Sequence, residues 1–205
     1  MSNAANTRNI PWVDGRTIGG VLEETVRRHA KRDAMAFPKL DLRWNWSRLG
    51  DEVETTARAL LALGVRPGEH VAVWATNVPR WVILQFATAR IGAVLVTINP
   101  ADRPFELRYV LQQSDAVALF LVDRFKSSDY FSMLGEVHPQ LGASQTGAPP
   151  NSDFPRLRHV VAMKGTAPPG VLPWEDFAAG AASIDSGKAR RTSPSSTGSR
   201  KLRSQ

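Results

Sequence analysis

The sequence predicts an α/β fold, a mostly parallel, doubly wound sheet with covering helices. The chain has 205 residues, of which 42% are hydrophobic, so it can bury one core of domain size. From residue 70 onward, short apolar runs rich in β-branched residues alternate with segments of helical periodicity. Because strand, helix and strand in that order with short connections require parallel pairing, these segments form a sheet that helices cover.

Two helices are predicted ahead of the first strand. The first covers 17–31, with Thr17 as its N-cap and its basic residues on the solvent side. The second begins after Ser47 and ends before Gly64, a residue type that often adopts the left-handed conformation after a helix. The turn signal RPGE at 66–69 then leads into the first strand.

The elements that follow alternate in type. Pro79 can occupy the first turn of a helix that Gly92 ends, and this change of period separates the first strand from the second. Strands are predicted at 70–75, 93–98, 116–122 and 159–163, helices at 79–90, 104–114 and 128–139, and a loop at 142–153.

The two ends of the chain differ in composition from its centre. Residues 1–16 are predicted to be an N-terminal extension. The net charge of +7 lies mostly at the other end, since residues 177–205 contain six basic residues and one acidic residue. Within residues 178–205, Ile184 and Leu202 are the only large apolar residues, and such a composition cannot offset the entropy of ordering. Residues 178–205 are therefore predicted to be a disordered, basic Ser/Arg-rich tail.

Composition also limits the classes of protein. The chain has no cysteine, which excludes a disulfide framework and cysteine-ligated metal sites. No apolar run reaches the roughly 20 residues of a membrane span, and the first 12 residues do not have a signal peptide's apolar run. We expect a soluble, cytoplasmic protein without a membrane span.

Several short motifs in the sequence form a specific combination. Between residues 61 and 114 these are LALGVRPGEHV at 61–71, VTINP at 96–100 and ELRYVLQQS at 106–114. Softer motifs outside this passage are WSRL at 46–49, FKSSDY at 125–130 and WEDF at 174–177. This combination resembles the AMP-forming adenylating ligases, above all the medium- and long-chain fatty acyl-CoA synthetases. The strongest likeness is to that family's patterns LxxLGVxxGDxV and NINPxxxxxELxYxLxxS.

The resemblance implies both a fold and an activity. Residues 17–177 would be a partial AMP-binding domain, corresponding to the first subdomain of the ligase's large N-terminal domain. The full-length family uses ATP, Mg²⁺ and coenzyme A to convert a carboxylic acid, here expected to be a fatty acid, through an acyl-adenylate into a thioester.

The family's phosphate-binding loop, YTSGTTGxPKG, does not occur intact where the resemblance would place it, just after Phe177. The nearest sequence, SSTGSRK at 195–201, has no predicted strand before it and no helix after it, and is interpreted as low-complexity tail. The ribose-binding aspartate, the adenine-contacting segment and the catalytic lysine of the family would lie further on. We therefore assign no catalytic, cofactor-binding or metal-ligating residue and expect this chain alone not to bind the three cofactors well.

The change in character near residue 178 has several explanations. One hypothesis is a shifted reading frame, because SST at 195–197 and SRK at 199–201 can arise from the family's codons read one base late. A truncated gene product or a non-catalytic interaction module that self-associates through the exposed subdomain surface are the alternatives. Nucleic-acid binding through residues 178–205 is the least favoured, and no specific nucleic acid is expected.

The histidines show no catalytic pattern. His29, His70, His138 and His159 lie on different predicted elements, without metal-ligand spacing or a triad arrangement. We predict surface positions or ordinary packing for all four.

The tryptophans and one asparagine are the remaining candidates for ligand-binding residues. Trp74 and Trp81 are predicted to be core residues, while Trp44 and Trp46 would share one side of a strand. Asn99 follows a predicted strand, where open sheets present binding loops, and is a candidate for a turn near an acyl or nucleotide cleft. The simpler interpretation, favoured here, is that Asn99 only turns the chain before Pro100.

Overall fold

The computed structural model describes residues 15–143 and 151–185. Within them, the α-helices are α1 Ile18–His29, α2 Trp46–Ala62, α3 Pro79–Ile91, α4 Pro104–Ser114, α5 Tyr130–Val137 and α6 Trp174–Ala179. The strands are β1 Asp33–Phe37, β2 Leu42–Asn45, β3 His70–Trp74, β4 Val94–Ile98, β5 Ala118–Leu121, β6 Arg124–Phe125, β7 Ser128–Asp129, β8 His159–Ala162 and β9 Leu172–Pro173.

The central sheet has five parallel strands in the order β4-β3-β5-β8-β9. The chain enters at β3, moves to β4 on one side, and then crosses back to β5 on the other side. Because parallel crossovers are right-handed, the connecting helices α3 and α4 lie on opposite faces. Helix α3 packs with α1 and α2, whereas α4 packs with α5. The predicted parallel, doubly wound α/β fold is confirmed.

The core lies around β3 and β5. Every residue of β5, and every residue of β3 after His70, is buried. Strands covered by helices on both faces need apolar residues at every position rather than at alternate ones. This explains why continuous apolar runs in the sequence identified both strands correctly.

The start of α2 differs from the prediction. Asn45, not Ser47, is the N-cap, and its side chain accepts a hydrogen bond from the backbone N–H of Arg48 at 2.9 Å. Trp46 is consequently the first residue of the helix. The prediction that Trp44 and Trp46 share one side of a strand is wrong, because only Trp44 lies in β2.

The antiparallel β1–β2 hairpin was not predicted. The residues of both strands are either exposed or half-buried. Neither strand therefore has a buried face whose apolar residues would recur at every second position. The predicted helix at 128–139 is also shorter in the structure. It begins at Tyr130 after Asp129, whose side chain caps it by accepting from the N–H of Ser132.

The prediction of a disordered tail from Ala178 is wrong up to residue 185. Ala178 lies in α6, which continues into the 3₁₀ helix Gly180–Ser183. Arg58 of α2 donates hydrogen bonds to the carbonyl oxygens of Ala181 and Ile184 at 2.6 and 2.8 Å. These hydrogen bonds come from a distant helix, and they order a segment whose own composition contains too few apolar residues to order it. The rest of the predicted tail lies outside the described residues.

No helix within residues 15–143 and 151–185 combines the length and the apolar character that crossing a bilayer requires.

Candidate functional site

The carboxyl ends of β3, β4 and β5 meet where the strand order reverses. The chain leaves β3 for β4 on one side and returns to β5 on the other, so the crevice beyond β3 and β5 is the switch point of the sheet. Ligands of open α/β sheets bind in such crevices. The loops that begin after residues 74, 98 and 121 therefore form the candidate site.

Two aromatic rings form the floor of this edge. Trp74, the last residue of β3, is fully buried and stacks on Tyr130 with ring centroids 3.7 Å apart and planes 3° from parallel. The Trp74 indole N–H donates to the carbonyl oxygen of Asn99 at 3.1 Å, and the Tyr130 hydroxyl donates to that of Pro100 at 2.6 Å. The two rings thus fasten the loop after β4 to the ends of β3 and β5.

Asn99 turns the chain at this edge. Its side-chain oxygen accepts from the backbone N–H of Ala101 at 2.9 Å, and its carbonyl oxygen accepts from the N–H of Asp102 at 3.0 Å. Both bonds are typical of a turn that an Asx side chain stabilises. The structure therefore supports the favoured turn role. That Asn99 also lies near an acyl or nucleotide cleft stays a prediction.

Two titratable groups of this edge have raised pKa values. Burial raises the pKa of Tyr130 to about 12, with a further contribution from the negative charge of Asp102. Burial, followed by repulsion from Glu106, raises the pKa of the Asp102 carboxyl. Near neutral pH the Tyr130 hydroxyl therefore keeps its proton and acts as a hydrogen-bond donor to the loop.

A cavity of about 400 Å³ lies beside this edge, between the β1–β2 hairpin and the start of α3. Arg80 is already engaged there: its guanidinium lies 5.0 Å from the Trp174 ring centroid, donates to the carbonyl oxygen of Met163 and pairs with Glu175. Lys164 adds an exposed positive charge. The cavity has an apolar wall, to which Leu42, Trp44, Val78 and Ile83 contribute, and its lining also includes the acidic residue Glu52.

The described residues at the carboxyl edge do not fit a complete triphosphate site. Asp102 and Asp123 bring negative charge to it, and Asp123 Oδ1 is buried without a hydrogen bond from the described residues. A buried carboxylate oxygen would repel a phosphate and instead favours a donor group. Within residues 15–143 and 151–185, no three His, Asp or Glu side chains are grouped to hold a metal ion.

The four histidines are dispersed, as the sequence predicts. His29 is exposed at the end of α1, and His138 is fully buried after α5. His70 Nδ1 is hydrogen-bonded to the carbonyl oxygen of Ser114. Burial, with help from the charge of Arg158, lowers the pKa of His159. They lie on separate parts of the fold.

Sequence reasoning missed the side chains that organise this edge. Tyr130 belongs to the FKSSDY motif, but nothing in that motif indicates that its hydroxyl bonds to Pro100 or that its ring stacks on Trp74. Arg80 follows Pro79 at the start of α3, and no local pattern indicates its contact with Trp174, because the two residues are remote in sequence. The sequence SSTGSRK at 195–201, which is the nearest to the family's phosphate-binding loop, lies outside the described residues.

Known proteins resemble this chain in sequence. The family described as AMP-binding enzyme matches residues 22–167. A putative acyl-CoA synthetase, YngI of Bacillus subtilis, is 35% identical over 160 residues, covering 78% of this chain and 29% of the relative. The mitochondrial medium-chain acyl-CoA ligase ACSF2 of Rattus norvegicus is 34% identical over 165 residues, covering 80% and 27%. The chain thus spans less than a third of the length of these curated relatives.

Solved structures share its fold. An anthranilate CoA ligase, AuaEII, in complex with anthranoyl-AMP superposes with a TM-score of 0.66 at 22% identity, covering 80% of this chain and 28% of that one. An acetoacetyl-CoA synthetase from Streptomyces lividans gives a TM-score of 0.63 at 25% identity, covering 80% and 25%. The five-stranded parallel sheet and its helices thus have counterparts in larger ligases.

Proposed function

This chain belongs to the family of AMP-binding enzymes, and from that premise we propose that it forms the first part of the adenylating domain of an acyl-CoA synthetase. One observation carries the proposal. The family match covers most of the described residues. Relatives that are about a third identical to the chain over the aligned residues are named acyl-CoA synthetases or ligases. The proposal includes the domain bounds given above: an N-terminal extension at 1–16 followed by a partial AMP-binding domain at 17–177.

The proposed reaction of the whole protein has two steps. A carboxylate oxygen of the acid attacks the α-phosphorus of ATP, forming an acyl-adenylate and releasing pyrophosphate. The thiol of coenzyme A then attacks the acyl carbonyl, so that AMP leaves and a thioester remains. Mg²⁺ would neutralise phosphate charge during the first step. Medium-chain fatty acids are the proposed substrates, supported by the name of the ACSF2 relatives.

The described residues would contribute support rather than chemistry. Trp74 and Tyr130 fix the loops after β4 and β5 at the switch point, where a ligand of this fold would approach. Asp123 Oδ1 would accept a hydrogen bond from a group that residues 15–143 and 151–185 do not supply. The cytoplasmic location expected from the cysteine-free sequence stays a prediction.

The 205-residue polypeptide by itself is expected to show no acid-dependent exchange of pyrophosphate into ATP. The reason is that phosphate stabilisation needs a cradle of backbone N–H groups, a cation and a metal ligand, and the family's loop sequence does not occur intact in this chain. The measurement is exchange of labelled pyrophosphate with a panel of fatty acids and MgATP.

The positive control is full-length ACSF2 of Rattus norvegicus, named a medium-chain acyl-CoA ligase, which under the same conditions shows that the assay detects exchange. A rate above the no-protein background that depends on the acid would contradict the expectation and move the catalytic residues into these 205 positions.

A second candidate function is an interaction module that pairs with another chain. The observation that favours it lies on α4, where Phe105 and Tyr109 are 79% and 60% exposed. Four residues apart on a helix, they share one face. Exposed aromatic side chains of this size are unusual for a surface in contact only with water, and typical of interfaces.

Self-association through this face predicts a concentration-dependent mass in light scattering. Substituting both Phe105→Ser and Tyr109→Ser is expected to return the chain to the monomer mass. Leu40→Ser, which removes another exposed apolar side chain, 57% exposed, outside α4, is the control and is expected to change nothing. Association that survives the double substitution would remove α4 from the interface.

A further inference from the structure

An apolar groove runs along α1 on the side that faces α2 and α3. It has a volume of about 420 Å³, and its lining is almost entirely carbon. We call it the α1 groove; its lining includes Ile18, Val21, Leu22, Thr25, Trp46 and Phe86. Ile18 and Val21 are 59% and 41% exposed, so the described residues leave apolar surface open at the start of the helix.

The N-terminus of α1 has no local hydrophobic contact of the usual kind. Helices often begin with an apolar residue just before the N-cap that packs against the fourth helical residue. Here the N-cap is Thr17 and the fourth helical residue is Val21, but the residue before the cap is Arg16. Arg16 is committed to an ion pair with Glu24. Val21 therefore has no apolar partner at the position just before the N-cap.

The described part of the chain begins beside this groove. Gly15 has φ +69°, a left-handed conformation that glycine adopts readily, and it directly precedes Arg16 and Thr17, both of which line the groove. Immediately upstream the sequence is IPWV at 10–13. Apart from Met1, the only large apolar residues in 1–14 are Ile10, Trp12 and Val13 of this run.

We propose that Ile10, Trp12 and Val13 pack into the α1 groove of the same molecule and act as a clamp on the start of α1. The lengths agree. From Ile18 to Thr25 the helix rises about 10 Å, and an extended chain spans about 10 Å between residues 10 and 13. A reversal of the chain at Gly15, which its left-handed conformation allows, would run the segment antiparallel to α1 and place Val13 near Val21. The inference stands independently of the proposed function.

Disulfide trapping tests the clamp cleanly, because the chain contains no cysteine. The test pair is Val13→Cys with Val21→Cys; the matched control is Val13→Cys with Arg27→Cys. Arg27 is exposed and borders a different surface of α1. We expect the test pair to form an intramolecular disulfide at least about tenfold faster under mild oxidation. The difference in loop length alone gives only about twofold.

Each other result overturns the proposal. Equal rates for the two pairs, or no cross-link in either, would show that the segment does not occupy the groove. A disulfide between two chains, seen as a dimer on a non-reducing gel, would assign the groove to a second copy. Circular dichroism of both variants confirms that they fold, as expected at the exposed Val21 and Arg27.

A measurement on the cysteine-free chain provides a second test. Trp12→Ala is expected to lower the melting temperature by a few degrees, about 2–4 °C for each kcal/mol in a chain of this size. Trp12→Phe should restore most of the loss, and Asn9→Ala, outside the apolar run, should have no effect. A melting temperature unchanged by Trp12→Ala would overturn the clamp even if the disulfide formed.

Discussion

Gly170→Ala is expected to lower the free energy of unfolding by more than about 3 kcal/mol, the range of severe core disruptions. Gly170 precedes β9 and has φ +81°, a conformation that costs an L-residue about 1–2 kcal/mol. A Cβ at this position would also overlap the carbonyl oxygen of Leu141 and lie 2.7 Å from its carbonyl carbon. Backbone cannot rotate away as a side chain can, so either the turn or the loop at Leu141 must move.

Gly68→Ala separates the clash from the backbone conformation. Gly68 has nearly the same φ, +79°, but a Cβ there would have no atom within 4 Å. Its substitution is expected to cost only the conformational penalty of about 1–2 kcal/mol. Urea unfolding followed by tryptophan fluorescence measures both variants. Equal losses would mean that the Leu141 loop yields without cost, contrary to the packing seen here.

Trp74→Ala is expected to lower the free energy of unfolding by about 3–5 kcal/mol, as for other large aromatic residues deleted from a core. The substitution removes a fully buried ring, its stack on Tyr130 and its hydrogen bond to Asn99. It also leaves the loop after β4 attached to this edge mainly by the Tyr130 hydroxyl. Urea unfolding by far-ultraviolet circular dichroism avoids the loss of the fluorophore.

Three graded variants accompany this measurement. Trp74→Phe keeps a ring but loses the indole N–H, and is expected to cost clearly less than the alanine variant. Tyr130→Phe removes only the hydroxyl bond to Pro100, for about 0.5–1.5 kcal/mol. Trp81→Ala deletes a half-buried tryptophan of α3. If Trp81→Ala lowered the free energy of unfolding as much as Trp74→Ala, the stack of Trp74 on Tyr130 would not be the feature that stabilises the carboxyl edge.

The elements predicted most accurately are those that have local punctuation. Helix α4 has the predicted bounds, Pro104–Ser114, and α3 begins at the predicted Pro79 and ends one residue late, before Gly92. Proline in the first turn and a residue with positive φ after the last turn act within a few residues of the chain. The sequence around them is therefore sufficient to place these ends.

The family resemblance was also accessible from the sequence, and the match of residues 22–167 confirms it. The motifs in 61–114 that indicated it lie across α2, β3, β4 and α4, where the chain passes through the core and both helical layers. These motifs remain recognisable in a chain that spans less than a third of its relatives.

The sequence by itself determined the types of the main elements and the parallel character of the sheet, because periodicity and short crossovers depend on neighbours along the chain. Only the tertiary structure decided that β5 lies beside β3 rather than β4, that Tyr130 stacks on Trp74, and that Arg58 holds residues 181–184 in order. Those contacts join residues 47 to 126 positions apart. They are chosen by which buried surfaces and hydrogen-bonding groups satisfy one another, a property that no local pattern contains.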